Sequence, residues 1–334
     1  MDPSPLWLEL RRAIGPSPYR IPDRLHEAPT RARPRTRVSD SLESLSLDAA
    51  NITDAGLAHL RDLHELRTLG LRSNPVGDEG MKTLAGLTKL QSLEIMGTKI
   101  TDAGLAHLAP LGELRSLDVS YTDVGDAGLK AMAHLSGLRD LRLQKTKITG
   151  GGLAPLASLA KLERLDLSMN PAVTNPGLAP LGKLKSLKTL LLSFTGIDED
   201  GLDSLAGLTG LTTLGLSGTK VSGPKLRPLV NLEELLLDQS AVRDSGLDAL
   251  KGMAKLRTLK LSFTDVGDRG VAALVELRAL EELDLWKTKV TSKSLGSLEE
   301  MKQLKRLLLP ASDEFPEDAV AELQMALPRT RIDR

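Results

Sequence analysis

Residues 90–111 read LQSLEIMGTKITDAGLAHLAPL, and residues 114–135 read LRSLDVSYTDVGDAGLKAMAHL. The two stretches share one grammar. It is Leu-x-x-Leu-x-(Ile/Val)-x-x-Thr-x-(Ile/Val), then Asp-Ala-Gly-Leu and further leucines. In the first half, the apolar residues at positions four and six flank one outward residue, the period-two signature of a short strand. In the second half, leucines return every three or four residues, the spacing of a helical face. One short strand and one short helix cannot bury their own leucines, so each unit is stable only when stacked on copies of itself.

The phrase opens at Leu42, Leu66, Leu90, Leu114, Leu138, Leu162, Leu187, Leu211, Leu232, Leu256, Leu280 and Leu304, which define units one to twelve. Nearly every step is 24 residues. The step from Leu162 is 25, because Pro171-Ala172 adds a residue before Val173, and the step from Leu211 is 21, because VSGPKLRPL is three residues short. A length of 334 residues ordinarily suggests two or three domains, but a fixed period overrides that prior in favour of a solenoid. The Asp before each Gly-Leu (Asp54, Asp78, Asp102, Asp126, Asp268) is expected to N-cap its helix. The hydroxyls of Thr98, Thr122, Thr146, Thr195, Thr219, Thr264 and Thr288 are expected to bond backbone groups of the next coil, with Asn74 and Asn170 in the same slot.

The pattern LxxLxLxx[TN]x[IV], which recurs through units one to eleven with departures at Ala50, Ile95, Val119 and Ser240, resembles the leucine-rich repeat proteins. The ITDAGL tail is similar to the bacterial 24-residue repeats and to the cysteine-containing subclass, with Thr where that subclass carries Cys. The resemblance spans about residues 38–330. It implies an α/β fold, a right-handed leucine-rich-repeat solenoid (horseshoe) of about twelve units, with a parallel sheet on the concave face and short helices on the convex one. It implies binding as a role and names no partner. The expected organisation is an N-terminal capping helix and Pro/Arg-rich linker over residues 1–37, repeats over 38–311 and a C-terminal cap over 312–334. In that cap Phe315, Val320, Leu323 and Leu327 should be buried, with Glu317 or Asp318 near a helix start.

Lys plus Arg and Asp plus Glu balance at 44 each, so net charge argues for neither a nucleic-acid nor a membrane partner. The absence of cysteine excludes disulfides, thiolate zinc sites and a cysteine nucleophile. The start MDPSPLWLEL carries an acid and no long apolar run, unlike a signal peptide, and no segment has the roughly 18 uninterrupted apolar residues of a membrane span. These features predict a cytoplasmic protein. The five histidines lack metal-ligand spacing, and no nucleophile elbow or phosphate-cradling loop follows a strand, so no enzyme, cofactor or metal is expected.

Residues at positions three, five, seven and eight of a unit should point away from the leucine core. The chain has seven aromatics. Trp7, Tyr19 and Phe315 lie at the ends, and Tyr121, Phe194, Phe263 and Trp286 all occupy position seven or eight. Large aromatics on an exposed face are what interface hot spots look like. The predicted partner-binding set is Tyr121, Asp166, Met169, Leu191, Phe194, Leu236, Asp238, Lys260, Phe263, Asp284, Trp286 and Lys287, with Glu234 and Glu282 at its border. Gly215 and Gly218 should leave a low spot between Leu191 and Leu236. A competing explanation is ancestry. Tyr121, Phe194 and Phe263 are three units apart, and units five, eight and eleven (KTKIT, GTKVS, KTKVT) share the same rhythm and lack the Asp, which suggests growth by duplicating a three-unit block. The lysines Lys99, Lys145, Lys147, Lys220, Lys287 and Lys289 line one loop edge and read as solvated charges, as the run TRARPRTR at 30–37 reads as a linker. The expected partner is a protein. An alternative places a recruiting function in the N-terminal segment, where Leu6 to Ile14 faintly resembles the start of an F-box, and a small-molecule receptor built around the irregular unit eight is a further alternative.

Overall fold

The computed structural model describes residues 42–311 and 313–334. The N-terminal cap, the Pro/Arg-rich linker and the F-box-like start lie outside the described residues. The chain divides into two compact units of structure: residues through Ile148 with Gly152–Leu162, and Thr149–Gly151 with Glu163–Arg334.

In the first, β1 (Ser44–Ser46), β2 (Thr68–Gly70), β3 (Ser92–Glu94), β4 (Ser116–Asp118) and β5 (Asp140–Arg142) lie in sequence order, all parallel. Their central leucines, Leu45, Leu69, Leu93, Leu117 and Leu141, share one register. In the second, the same arrangement runs through β6 (Arg164–Asp166), β7 (Thr189–Leu191), β8 (Thr213–Gly215), β9 (Glu234–Leu236), β10 (Thr258–Lys260), β11 (Glu282–Asp284), β12 (Arg306–Leu308) and β13 (Arg331–Asp333). Leu165, Leu190, Leu214, Leu235, Leu259, Leu283, Leu307 and Ile332 stay aligned. The long and short steps therefore do not disturb the ladder, because Pro171-Ala172 and the deletion after Val221 fall on the return path. The opening leucines of units two to twelve are at most 2% exposed, each worth roughly 2 kcal/mol of burial. Periodic stacking of these rows is the core.

The helical side varies with local sequence. Asp78–Leu84, Asp126–Met132 and Asp268–Leu274 are α-helical, whereas Gly150–Ser158 and Asn175–Lys183 are 3₁₀ turns with Pro155 and Pro180 inside. Proline has no N–H to give to an α-helical bond, and the tighter turn accommodates it. Among the described residues no helix is long and apolar enough to cross a membrane.

Two polar expectations are corrected. The repeat Asp begins its helix but does not cap it; Thr53, Gly77, Thr101, Gly125 and Gly267 hold the cap position. Its carboxylate reaches the following coil, where Asp54, Asp78, Asp102, Asp244 and Asp268 accept the N–H of Gly77, Thr101, Gly125, Gly267 and Thr291 at 2.6–2.7 Å. The threonines do the opposite. Each donates its hydroxyl within its own coil, as Thr98 does to Ile95 C=O at 2.7 Å and Thr219 to Leu216 C=O at 2.6 Å. A hydroxyl has one proton and a short reach. Asn74, with two donors and an acceptor, spans both coils, giving to Leu47 and Leu71 C=O and accepting from Ile52 N–H.

At the C-terminus a helix over Glu317–Ala326 leads into β13, which pairs in parallel with β12. Phe315, Leu323 and Leu327 are buried as expected, but Ala319 takes the buried position expected for Val320, which is only half-buried. The thirteenth strand carries no leucine phrase. Its flanking Arg331 and Asp333 put charge on the last strand, which discourages further pairing.

Candidate functional site

Position eight of every unit from one to eleven lies in the left-handed region of backbone space: Ala49, Ser73, Gly97, Tyr121, Lys145, Met169, Phe194, Gly218, Gln239, Phe263 and Lys287 have φ between 50° and 68°. The ladder between coils enforces this bend. Phe194 N–H donates to Ser217 C=O at 2.7 Å, and Phe263 N–H to Trp286 C=O at 3.0 Å. A Cβ in this conformation costs on the order of 1 kcal/mol relative to glycine. The turn also throws the side chain outward, so Phe194 is 47% exposed, Phe263 45%, Tyr121 39% and Met169 37%.

In the second compact unit, the strand-side face from unit seven to unit eleven carries an open groove of about 630 Å³. Phe194 forms one wall. Its ring lies against Gly218, where an added Cβ would collide with it, so the low spot read from the sequence is filled by the neighbouring ring. The opposite wall is Phe263 and Trp286, in edge-to-face contact with centroids 4.8 Å apart. Lys287 Nζ stands 4.9 Å from the Trp286 centroid and 5.3 Å from that of Phe263, a cation–π arrangement. Leu236, Lys260, Asp238 and Asp284 also line the groove.

Ser262 ties the two carboxylates together, its N–H donating to Asp238 Oδ1 at 3.0 Å and its Oγ to Asp284 Oδ1 at 2.6 Å. Lys260 is committed to Glu282 at 2.6 Å, which holds Glu282 below the usual carboxylate range. Burial pushes the Asp238 carboxyl above the usual range; the Ser262 N–H opposes this and the nearby Asp284 charge adds to it. A carboxyl raised in the folded state favours folding when protonated. That contribution is complete below the ordinary pKa of about 3.9 and is lost as pH rises through the raised value. Ionised Asp238 therefore subtracts from stability at neutral pH. Asp238→Asn, which keeps an acceptor for the Ser262 N–H, should raise the unfolding midpoint near neutrality, and the gain should vanish in acid. Thermal unfolding at both pH values checks this, and an unchanged or lower midpoint at neutral pH would refute it.

Of the residues singled out in the sequence, Phe194, Leu236, Asp238, Lys260, Phe263, Asp284 and Trp286 line this groove, and Lys287 covers its aromatic wall. Leu191 is half-buried on β7 beside Gly215. Met169 is exposed one unit before the groove, and Tyr121 lies in the first compact unit, under Lys145 at 5.3 Å. Asp166 is 8% exposed and accepts the Ser168 N–H at 2.9 Å, a turn-forming bond that occupies it. The same local bond is made by Asp118 to Ser120 and by Asp284 to Trp286. Sequence reasoning missed Ser193, Ser217, Gln239 and Ser262. The signal was present: three of them are the serine of position seven, which recurs beside each Phe. Among the described residues no three His, Asp or Glu converge as metal ligands.

The family model described as Leucine Rich repeat matches residues 62–85, 86–109, 114–133, 158–182 and 252–275. No curated protein matches the chain by sequence. Among solved structures, the chain is similar to an internalin from Listeria monocytogenes, at 20% identity and TM-score 0.72 over 99% of this chain and 97% of that one. It is also similar to a leucine-rich repeat protein of Leptospira interrogans, at 18% identity and TM-score 0.55 over 83% and 80%. A third is the TLR13 chain of a TLR13–ssRNA13 complex, at 20% identity and TM-score 0.59 over 87% of this chain and 43% of that one. At these identities the likeness concerns the fold. Together with the five matched repeats and the shared register of leucine strands within each compact unit, it shows a leucine-rich-repeat solenoid fold.

Proposed function

We propose that the chain is a non-catalytic scaffold of the cytoplasm that binds a protein partner on the strand-side face of its second compact unit, through the groove between Phe194 and Trp286. The observation that carries this reading is the placement of Phe194 and Phe263. Both are about half exposed and both sit at a left-handed bend. Gly97 and Gly218 fill the same slot in other units without strain. Exposure and backbone strain each work against a phenylalanine there, so contact with something outside the chain is the gain that offsets them. A rigid sheet face lowers the ordering cost of binding an extended segment. Nucleic acid is not the partner this groove fits, because its two carboxylates, which have no basic side chain paired with them among the described residues, repel phosphate.

Phe194→Gly combined with Trp286→Ala tests the reading. Glycine removes one ring while relaxing the bend, so the fold should be retained, as circular dichroism would report. Capture of the partner from a lysate of the source organism should fall by about tenfold or more. Equal capture by the folded variant would move the site elsewhere.

A further inference from the structure

We propose that the groove accepts a basic side chain, an arginine above all, from an extended segment of the partner; this rests on the docking function proposed above and adds its chemistry.

Charge is the first ground. Asp238 and Asp284 stand on either side of Ser262 and both line the groove. Among the described residues no Lys, Arg or His side chain pairs with either. The one lysine of the lining, Lys260, is held by Glu282. Two neighbouring carboxylates without a counter-charge repel one another, and the Asp284 charge adds to the upward push that burial puts on the Asp238 carboxyl. A cation entering between them removes that repulsion.

The aromatic walls are the second ground. Tyr121 and Phe263 occupy position eight, and each carries over its ring the lysine at position eight of the following unit, Lys145 and Lys287, at 5.3 Å. Phe194 is the third aromatic in that slot, and the residue that would carry its lysine is Gly218. Among the described residues the chain thus supplies a cation to two of these rings and none to the third, which is also the most exposed. Phe194 and the two carboxylates border the same groove. A planar guanidinium suits both surfaces, since it stacks on a ring face while donating in-plane hydrogen bonds to carboxylates.

The experiment is selection of random twelve-residue displayed peptides on the full chain, followed by synthesis of the best binder with arginine and with citrulline, its neutral isostere. The expected result is a consensus containing Arg or Lys. Citrulline, and separately the Asp238→Asn/Asp284→Asn variant, should weaken binding at least tenfold. A consensus without a basic residue, or citrulline binding within twofold of arginine, overturns the inference. If such peptides still lose binding to the Phe194→Gly/Trp286→Ala variant, docking in the groove stands without the charge. Absence of enriched peptides, or peptides indifferent to every variant, overturns both. The citrulline comparison uses the unaltered chain, so it decides even if the double Asn variant folds poorly.

Discussion

Glu199→Ala is expected to lower the stability of the second compact unit by about 3 kcal/mol, the sum of several charge-assisted hydrogen bonds lost together. Glu199 occupies the slot filled by Asp in the regular units. The coil that follows it is the shortened unit eight, where Gly223 has φ 111° and the 3₁₀ turn Pro224–Leu226 has no side-chain cap of its own. The cap comes from the preceding coil. Glu199 accepts the N–H of Ser222 and Gly223 at 2.8 Å and of Lys225 at 2.5 Å, and the Ser222 hydroxyl at 3.0 Å. The longer Glu stem suits a coil that has lost three residues and drawn its turn away. Alanine strands three backbone donors at a partly buried seam, whereas Glu199→Gln retains acceptors and should recover more than half of the loss. Urea unfolding, with hydrogen exchange to locate the weakening, checks this. Exchange that accelerates uniformly, rather than first around residues 222–226, would contradict the assignment.

Gly246→Ala is expected to be destabilising by about 3 kcal/mol, near the upper end of overpacking effects, although alanine is intrinsically favoured over glycine in a helix by about 1 kcal/mol. In regular units, a Cβ on the repeat glycine meets the tip of the preceding Asp: Asp54 at Gly80, Asp102 at Gly128 and Asp244 at Gly270. A carboxylate can swing aside. Gly246 follows the shortened coil, and its Cβ would overlap the Ser222 carbonyl and crowd the Gly223 backbone. The Ser222–Gly223 backbone, tied to the Glu199 carboxylate, cannot swing aside as a side-chain tip does. Gly270→Ala is the control, with an expected loss of about 1 kcal/mol. Because neighbouring coils stabilise one another in series, the Gly246 variant should open first between β8 and β9. Equal effects at the two glycines would show that the short coil is no tighter than the others.

The wall residues Phe194, Phe263 and Trp286 were legible in the sequence because the repeat never requires an aromatic, so each stands out against eleven comparable slots. The serines beside them were not singled out, because a serine that recurs looks like part of the phrase. Asp166 and Asp284 share one strand position and each accepts a turn N–H, from Ser168 and from Trp286; of the two, Asp284 lines the groove, a difference the repeat position does not reveal. The C-terminal strand Arg331–Asp333 was invisible, having no leucines, and exists because β12 leaves an edge for it to pair with.

The sequence by itself determined the solenoid, the core leucines and the strand register, because burial repeats with a period and the period is written in the residues. Even the insertion at Pro171-Ala172 and the deletion after Val221 left the register intact, since hydrophobic pairing selects leucine opposite leucine. Tertiary structure alone decided where the polar groups found partners. Stacked coils stand about 4.8 Å apart, so a residue 23 positions away is as near to the repeat Asp as its own helix. That proximity turned expected helix caps into ties between coils, and it set Asp238, Asp284 and three aromatic rings around one groove.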